Sequence, residues 1–190
     1  MKTTKIQWLF GQYSGEEIGL NDPLISNFKG DPTIGLTRES LQNVIDVPLS
    51  ENEPVIAEFS LNYIKNKEIP GYKEVREIAL KCFEFWQQKK MRTGKFEKVL
   101  EYARELYTII KEENRKIPIL VIRDFNTLGF DADGWYSFVQ SIGASTKESG
   151  EGGSFGLGKG AYYCASFFRM MLISSLSKKQ EYRFAGKTRL

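Results

Sequence analysis

Three groups of residues carry the types and spacing that chemistry needs. The densest is the run Gly152-Gly153-Ser154-Phe155-Gly156-Leu157-Gly158-Lys159-Gly160-Ala161. Clustered glycines let backbone amides approach an anion, and a following helix adds its positive N-terminus, so the run reads as a phosphate site. The second group is Glu39 and Asn43, a carboxylate and an amide four residues apart, with Asp46 three further on. On a helix these share one face, because residues three and four apart are neighbours. The third is Asp124, set directly after the apolar stretch Ile117 to Ile122 and Arg123, as when a buried strand delivers a carboxylate at its end.

Two familiar phosphate motifs fit the glycine run less well. Gly153 to Lys159 satisfies the first seven positions of a P-loop, but Gly160 stands where a magnesium-binding hydroxyl is needed. Gly156, Gly158 and Ala161 have dinucleotide-fingerprint spacing, yet about 20 residues on stand Lys178 and Lys179 instead of a ribose-binding acid.

The elements that must hold these groups can be read in outline. Residues from Met1 to Gly35 read as a strand or arm followed by loops. A helix is expected from Thr37, with Thr37 as N-cap and Leu36, Leu41, Val44 and Ile45 on its apolar side, until Pro48 ends it. Val55 to Leu61 reads as a strand, and two amphipathic helices follow over about Tyr72 to Lys89 and Lys95 to Glu113. The stripes of those helices are read as packing faces. Trp135 to Ile142 is expected to be a short helix, Gly143 to Gly153 a mobile loop, Gly158 to Phe168 a helix, and Met170 to Phe184 a hairpin turning at Ser177 to Lys179.

Composition narrows the classes. The chain has 190 residues, 41% hydrophobic and 13% aromatic, enough for one domain with its own core. A net charge of +3 with both signs interspersed gives no basic patch, so nucleic-acid binding is unsupported. With 0 histidines, Ser-His-Asp and Cys-His chemistry and a phosphohistidine acceptor are excluded within this chain. Cys82 and Cys164 lack metal or disulfide spacing and read as buried thiols of a reducing, cytoplasmic protein. No apolar run approaches the roughly 20 residues of a membrane span, so no membrane partner is expected.

Taken in order, the three groups resemble the conserved boxes of the Bergerat-fold ATPases, the gyrase, heat-shock chaperone, histidine kinase and MutL (GHKL) family. Arg38-Glu39-Ser40-Leu41-Gln42-Asn43 looks like the first box, Asp124 like the second, and Gly153-Ser154-Phe155-Gly156-Leu157-Gly158 is very similar to the third box of the chaperone branch. The resemblance spans roughly Ile34 to Phe184. It implies an α/β (α+β) two-layer sandwich with helices over one face of a mixed, mostly antiparallel sheet. A helical insertion at about 65–115 and an ATP lid at about 143–157 would interrupt a single domain covering 1–190. More loosely, the chain resembles ATPase modules at the head of longer bacterial proteins.

The resemblance also assigns roles. Asn43 would ligate Mg2+ alongside phosphate oxygens, and Glu39 would be the general base that activates water. Asp124 would accept a hydrogen bond from the adenine amino group, favouring ATP over GTP. Gly153, Ser154, Phe155, Gly156, Leu157, Gly158 and Gly160 would line the triphosphate. Lys159 beside them is either a point charge for the β- or γ-phosphate or a lysine facing solvent. Asp46 resembles a position supporting the adenine pocket and reads equally as a C-terminal turn residue. The second box departs from the family. Asn126 replaces its first glycine and Gly129 comes one position late, implying a variant backbone with Asn126 or Thr127 adding a contact. The fourth box, a threonine on a later strand, has Thr188 as its candidate, or else the chain ends before it. The function implied is Mg-dependent ATP binding and slow hydrolysis driving a conformational switch, with downstream domains of a longer parent and ATP-dependent dimerisation as partners. Alternatives are a nucleotide-gated interaction module without turnover and kinase-type use of the same ATP site.

Overall fold

A computed structural model describes residues 8, 22–89, 94–140 and 158–189. The architecture mixes helices with two small antiparallel sheets, an α+β arrangement. Two compact units divide the chain: Met1–Leu20, Leu61–Leu120 and Leu190 form one, Asn21–Ser60 and Val121–Arg189 the other. Strands β1 (Ile56–Lys65) and β2 (Lys116–Phe125) pair in one sheet, and each contributes residues to both units.

The first unit is dominated by helices α3 (Tyr72–Gln88) and α4 (Gly94–Ile110), within the expected insertion. Partners run in opposite directions, with the Tyr72 hydroxyl donating to the Ile110 carbonyl at 2.8 Å and Trp86 meeting Phe96 at 5.3 Å between ring centroids, so the two helices are antiparallel. Val75, Ala79, Ala103 and Leu106 are buried on the facing stripes, which bears out their reading as packing faces. The last turn of α4 has carbonyls without helical partners. Asn66, fully buried, donates from Nδ2 to Ile109 and Glu112 carbonyls at 2.7 and 2.8 Å and closes that end.

In the second unit, α1 (Pro23–Ser26) and α2 (Pro32–Ile45) start on the same device. Asp22 and Asp31 accept from the backbone amides of Leu24 and Ile34, each at 2.9 Å, and a proline with preset φ takes the first helical position. This corrects two expectations. Residues 23–26 are helical instead of loop, and α2 begins at Pro32, so Thr37 lies inside the helix and does not cap it. Short helices α5 (Ala132–Trp135) and α6 (Gly160–Ala165) flank 141–157, and a π-helical turn over Tyr136–Gln140 continues α5. The hairpin is β3 (Met170–Leu176) with β4 (Tyr182–Thr188), paired from Met170 with Thr188 to Leu176 with Tyr182. Leu24, Ile25 and Tyr163 form a core cluster, with Cys164 and Met171 packed against it. Arg189, just after β4, pairs with the buried carboxylate of Asp22. Both cysteines are free thiols and only half-buried, less enclosed than the sequence suggested. No helix among the described residues is long and apolar enough to cross a membrane.

Candidate functional site

Helix α2 carries the first group. Leu36, Ser40 and Val44 mark its buried side, which leaves Glu39 and Asn43 half-buried along the border. Asn43 Nδ2 donates to Glu39 Oε1 at 3.4 Å and to the hydroxyl of Tyr162 at 3.3 Å, and Ser40 Oγ donates to the same hydroxyl at 3.4 Å. Tyr162 stands on α6, 119 residues from Asn43. Sequence reading passed over it, because a tyrosine one turn after the glycine run looked like part of a core helix. Burial pushes its phenol above the ordinary tyrosine range. The bonds from Ser40 and Asn43 oppose that rise, and the charges of Glu39 and Asp124 add to it.

Asp124, exposed near the end of β2, accepts from the Thr127 hydroxyl at 2.5 Å on Oδ2. The turn beyond it explains the departure from glycine. Asn126 has φ 60°, the left-handed region that asparagine tolerates better than other side chains, and its Nδ2 ties the turn to the Pro54 carbonyl at 2.9 Å. Asn126 therefore adopts a conformation normally given to glycine. Gly129 has φ +64°, and a Cβ there would overlap the backbone of Leu176. Backbone bonds from Leu49 to Asn126 at 2.8 Å and from Leu128 to Val47 at 3.0 Å, with a bridge between Pro48 and Thr127, stitch the end of α2 to this turn. Those bonds bring the first and second groups into one frame. Asp46 is the C-cap of α2, with its backbone amide on the Gln42 carbonyl, and its side chain is exposed, so the turn reading describes its position. The hydroxyl of Thr188 donates to the Phe168 carbonyl at the base of its own hairpin.

Of the glycine run, Gly153, Ser154, Phe155, Gly156 and Leu157 lie outside the described residues, as does the expected lid at about 143–157. Gly158, Lys159 and Gly160 are described and buried. A Cβ at Gly158 would fall on the Glu39 carboxylate, so that carboxylate rests against the Gly158 backbone. One at Gly160 would fall on the Leu24 carbonyl, which makes Gly160 a packing glycine between α1 and α6. Lys159 does not face solvent: it is 6% exposed and donates from Nζ to the Ser137 and Phe138 carbonyls, both at 3.1 Å. Burial lowers its pKa, and Lys187 adds to that effect. Helix α6 has only six residues and begins at Gly160, so the longer helix expected from Gly158 to Phe168 is not formed.

An aromatic row leads into the cluster. Trp135 meets Phe130 at 6.3 Å between centroids, Phe130 stacks on Phe138 at 5.1 Å, and Phe138 meets Tyr162 edge-on at 6.1 Å. What the arrangement offers chemically is a carboxylate, an amide oriented by two acceptors, and a protonated phenol, with a second carboxylate fixed by a hydroxyl close by. Both amide protons of Asn43 point at protein acceptors, which leaves its oxygen as the atom able to ligate a hard cation. Among the described residues, no three His, Cys, Asp or Glu side chains form a metal cluster of their own. No family model, curated protein or solved structure matches the chain.

Proposed function

We propose that this chain is an ATP-binding domain of the Bergerat, GHKL type, which binds Mg-ATP and hydrolyses it slowly as a conformational switch. The observation that carries the reading is the cluster at Tyr162, which takes hydrogen bonds from Ser40 and Asn43 of α2, while Glu39, bonded to Asn43, rests its carboxylate against the backbone of Gly158 in the glycine run. The left-handed Asn126 supports it further, since the family's second box has a glycine at that position.

In this reading the amide oxygen of Asn43 holds magnesium together with phosphate oxygens, and the metal supplies neutralisation of phosphate charge when bound. Glu39 accepts a proton from water as that water's oxygen attacks the γ-phosphorus. The bond from γ-phosphorus to the β,γ-bridging oxygen breaks, and ADP leaves with phosphate. Asp124 accepts from the adenine amino group through Oδ1, while Thr127 holds Oδ2. Lys159 enters as a tether for the turn at Ser137 and Phe138.

Two variants test the assignment. Glu39→Ala should keep Mg-ATP affinity near wild type in calorimetry and lose about 10²–10⁴-fold in turnover. Asn43→Ala should weaken binding itself. Wild-type protein that binds no Mg-ATP would overturn the reading. Binding without turnover above the Glu39→Ala background would replace it with the nucleotide-gated interaction module.

A further inference from the structure

Positive charge is gathered in one part of the chain. Residues 169–189, the β3–β4 hairpin and its ends, hold six basic side chains against one acidic, Glu181, an imbalance larger than the net +3 of the whole chain. Glu181 is already paired with Arg183 at 2.6 Å. Lys178 and Lys179, exposed in the hairpin turn, take part in no ion pair among the described residues. The backbone fixes where they stand, since the Lys178 amide donates to the Leu128 carbonyl at 2.9 Å and the Gln180 amide to the Ser177 carbonyl at 2.8 Å.

The register settles which side chains share a face, because alternate residues of a strand point the same way and paired residues lie side by side. Met171 packs on the core cluster, and Ser175 and Arg183 bond to the backbone of Phe130, so their face is turned inward. Leu172, Leu176, Tyr182 and Phe184 form the other face, with Leu176 paired to Tyr182 and Ser174 to Phe184. Tyr182 is 68% exposed and Leu176 54%. Aromatic and aliphatic side chains left bare beside unpaired lysines mark a surface for a partner.

We propose that this outer face of the hairpin binds single-stranded nucleic acid, with bases stacked on Tyr182 and Phe184 and phosphates held by Lys178 and Lys179. Exposed rings interleaved with cationic side chains are what an unpaired strand requires, since every base offers a flat face and every nucleotide a negative charge. The two rings stand two residues apart on β4, about 6.5 Å along the strand. Bases in a duplex are about 3.4 Å apart along each strand, so a base on each ring needs the splayed arrangement of a single strand. Ser174 and Gly186, the small residues across the ladder from Phe184 and Leu172, leave the rings open to a flat ligand. Other occupants fit less well. Clusters that hold a lipid surface use about four to eight basic residues, and a second copy of this face brings no carboxylate to meet the lysines. Binding here needs no ATP and is independent of the reading above.

The probes are labelled oligothymidylate and oligouridylate of about 12 nucleotides, titrated with the full chain at low salt and followed by fluorescence anisotropy. Wild type should bind both, and should bind a duplex of the same length more weakly. Tyr182→Thr and Phe184→Thr keep a strand-forming residue on the outward face, and each should lower affinity roughly 5- to 150-fold. Lys178→Gln combined with Lys179→Gln should reduce the slope of log affinity against log salt by about 1.4. Failure of wild type to bind, unchanged affinity in both threonine variants, or duplex binding as tight as single-strand binding would overturn the proposal. So would sedimentation of the protein alone as a dimer that the threonine variants abolish without any oligonucleotide binding, which would give the face to a second copy. Should the variants fail to fold, wild-type protein can be photo-crosslinked to an oligonucleotide carrying 4-thiouridine. Adducts are expected on the peptide containing Tyr182 and Phe184, and adducts confined to other peptides would refute the assignment.

Discussion

Gly158 and Gly160 flank the same lysine, yet an alanine at each should act in a different way, mainly on activity at Gly158 and mainly on stability at Gly160. At Gly158 the new methyl would land on the end of the Glu39 side chain, which can rotate. An off-rotamer or newly turned glutamate costs about 0.5–1.5 kcal/mol, and losing the 3.4 Å bond from Asn43 adds about 0.5–1.5 kcal/mol. Gly158 is not among the glycines with positive φ, so backbone strain adds nothing. The sum is about 1–3 kcal/mol, with the lower end expected because that bond is long. At 2–4 °C per kcal/mol for a chain of this size, Tm should fall by only a few degrees. Activity should suffer far more, because the candidate general base is turned out of the site: turnover should drop by about 10²–10⁴-fold. At Gly160 the methyl meets the backbone of Leu24, which cannot rotate away, so α1 must shift from α6 and disturb the core around Leu24, Ile25 and Tyr163. That costs about 1–3 kcal/mol through overpacking alone, plus lost burial. Thermal scans and steady-state phosphate release on both variants distinguish the two mechanisms. Wild-type turnover by Gly158→Ala, or a larger Tm loss there than in Gly160→Ala, would refute the reasoning.

Three further expectations follow from the same geometry. Asp124→Asn should weaken Mg-ATP binding by roughly 10- to 150-fold with the fold intact, since a charged acceptor is exchanged for an amide; calorimetry on the folded variant checks it. Asn126→Ala should lower stability by about 1–2 kcal/mol in a denaturant melt, because alanine tolerates φ 60° poorly and the bond to Pro54 is lost, whereas Asn126→Gly should cost less. Burial, aided by Asp22 and opposed by Arg189, pushes the Tyr163 phenol up to about 12 from an ordinary 10.0. Its contribution is therefore complete below pH 10 and lost as pH rises from 10 towards 12, and Tyr163→Phe should remove about 2–3 kcal/mol of that alkaline loss in melts at pH 9 and pH 12.

Helical periodicity located α3 and α4 to within a few residues, alternation located β1 and a continuous apolar run located β2, but β2 is not the buried strand that such a run suggests: Ile117 is its one buried residue and Leu120 is exposed. The starts of α1 and α2 were written in the pairs Asp22-Pro23 and Asp31-Pro32, a capping signal that the later apolar pattern at Leu36 obscured. Glu39, Asn43 and Asp124 were legible as chemical types at recognisable spacing. Tyr162 was not, since nothing local tells a core tyrosine from one whose hydroxyl meets a helix 119 residues away. Gly160 reads locally as a phosphate glycine, and only the folded chain shows the Leu24 carbonyl packed against it. Asn126 was flagged as a departure, and only its φ shows that the backbone conformation is kept.

The two units differ in how they are cut from the chain, and that sets a timetable for synthesis. The helical unit takes its described helices from one continuous stretch, Leu61–Leu120, whereas the other unit joins Asn21–Ser60 to Val121–Arg189. Local helix pairs form in microseconds to milliseconds, so α3 and α4 can dock as soon as both have emerged. Helix α2 has to wait for α6. At 5–20 residues per second, the 119 residues between Asn43 and Tyr162 correspond to a delay of roughly 6–24 s. Throughout it α2, which packs against α6 in the finished unit and carries the buried Leu36 and Val44, has no α6 beside it. Asp22 waits longer still for Arg189, 167 residues on. The unit that carries Glu39, Asn43 and Asp124 is therefore the last to close, and a ribosome-bound chain stalled between these points should present the apolar side of α2 uncovered by α6.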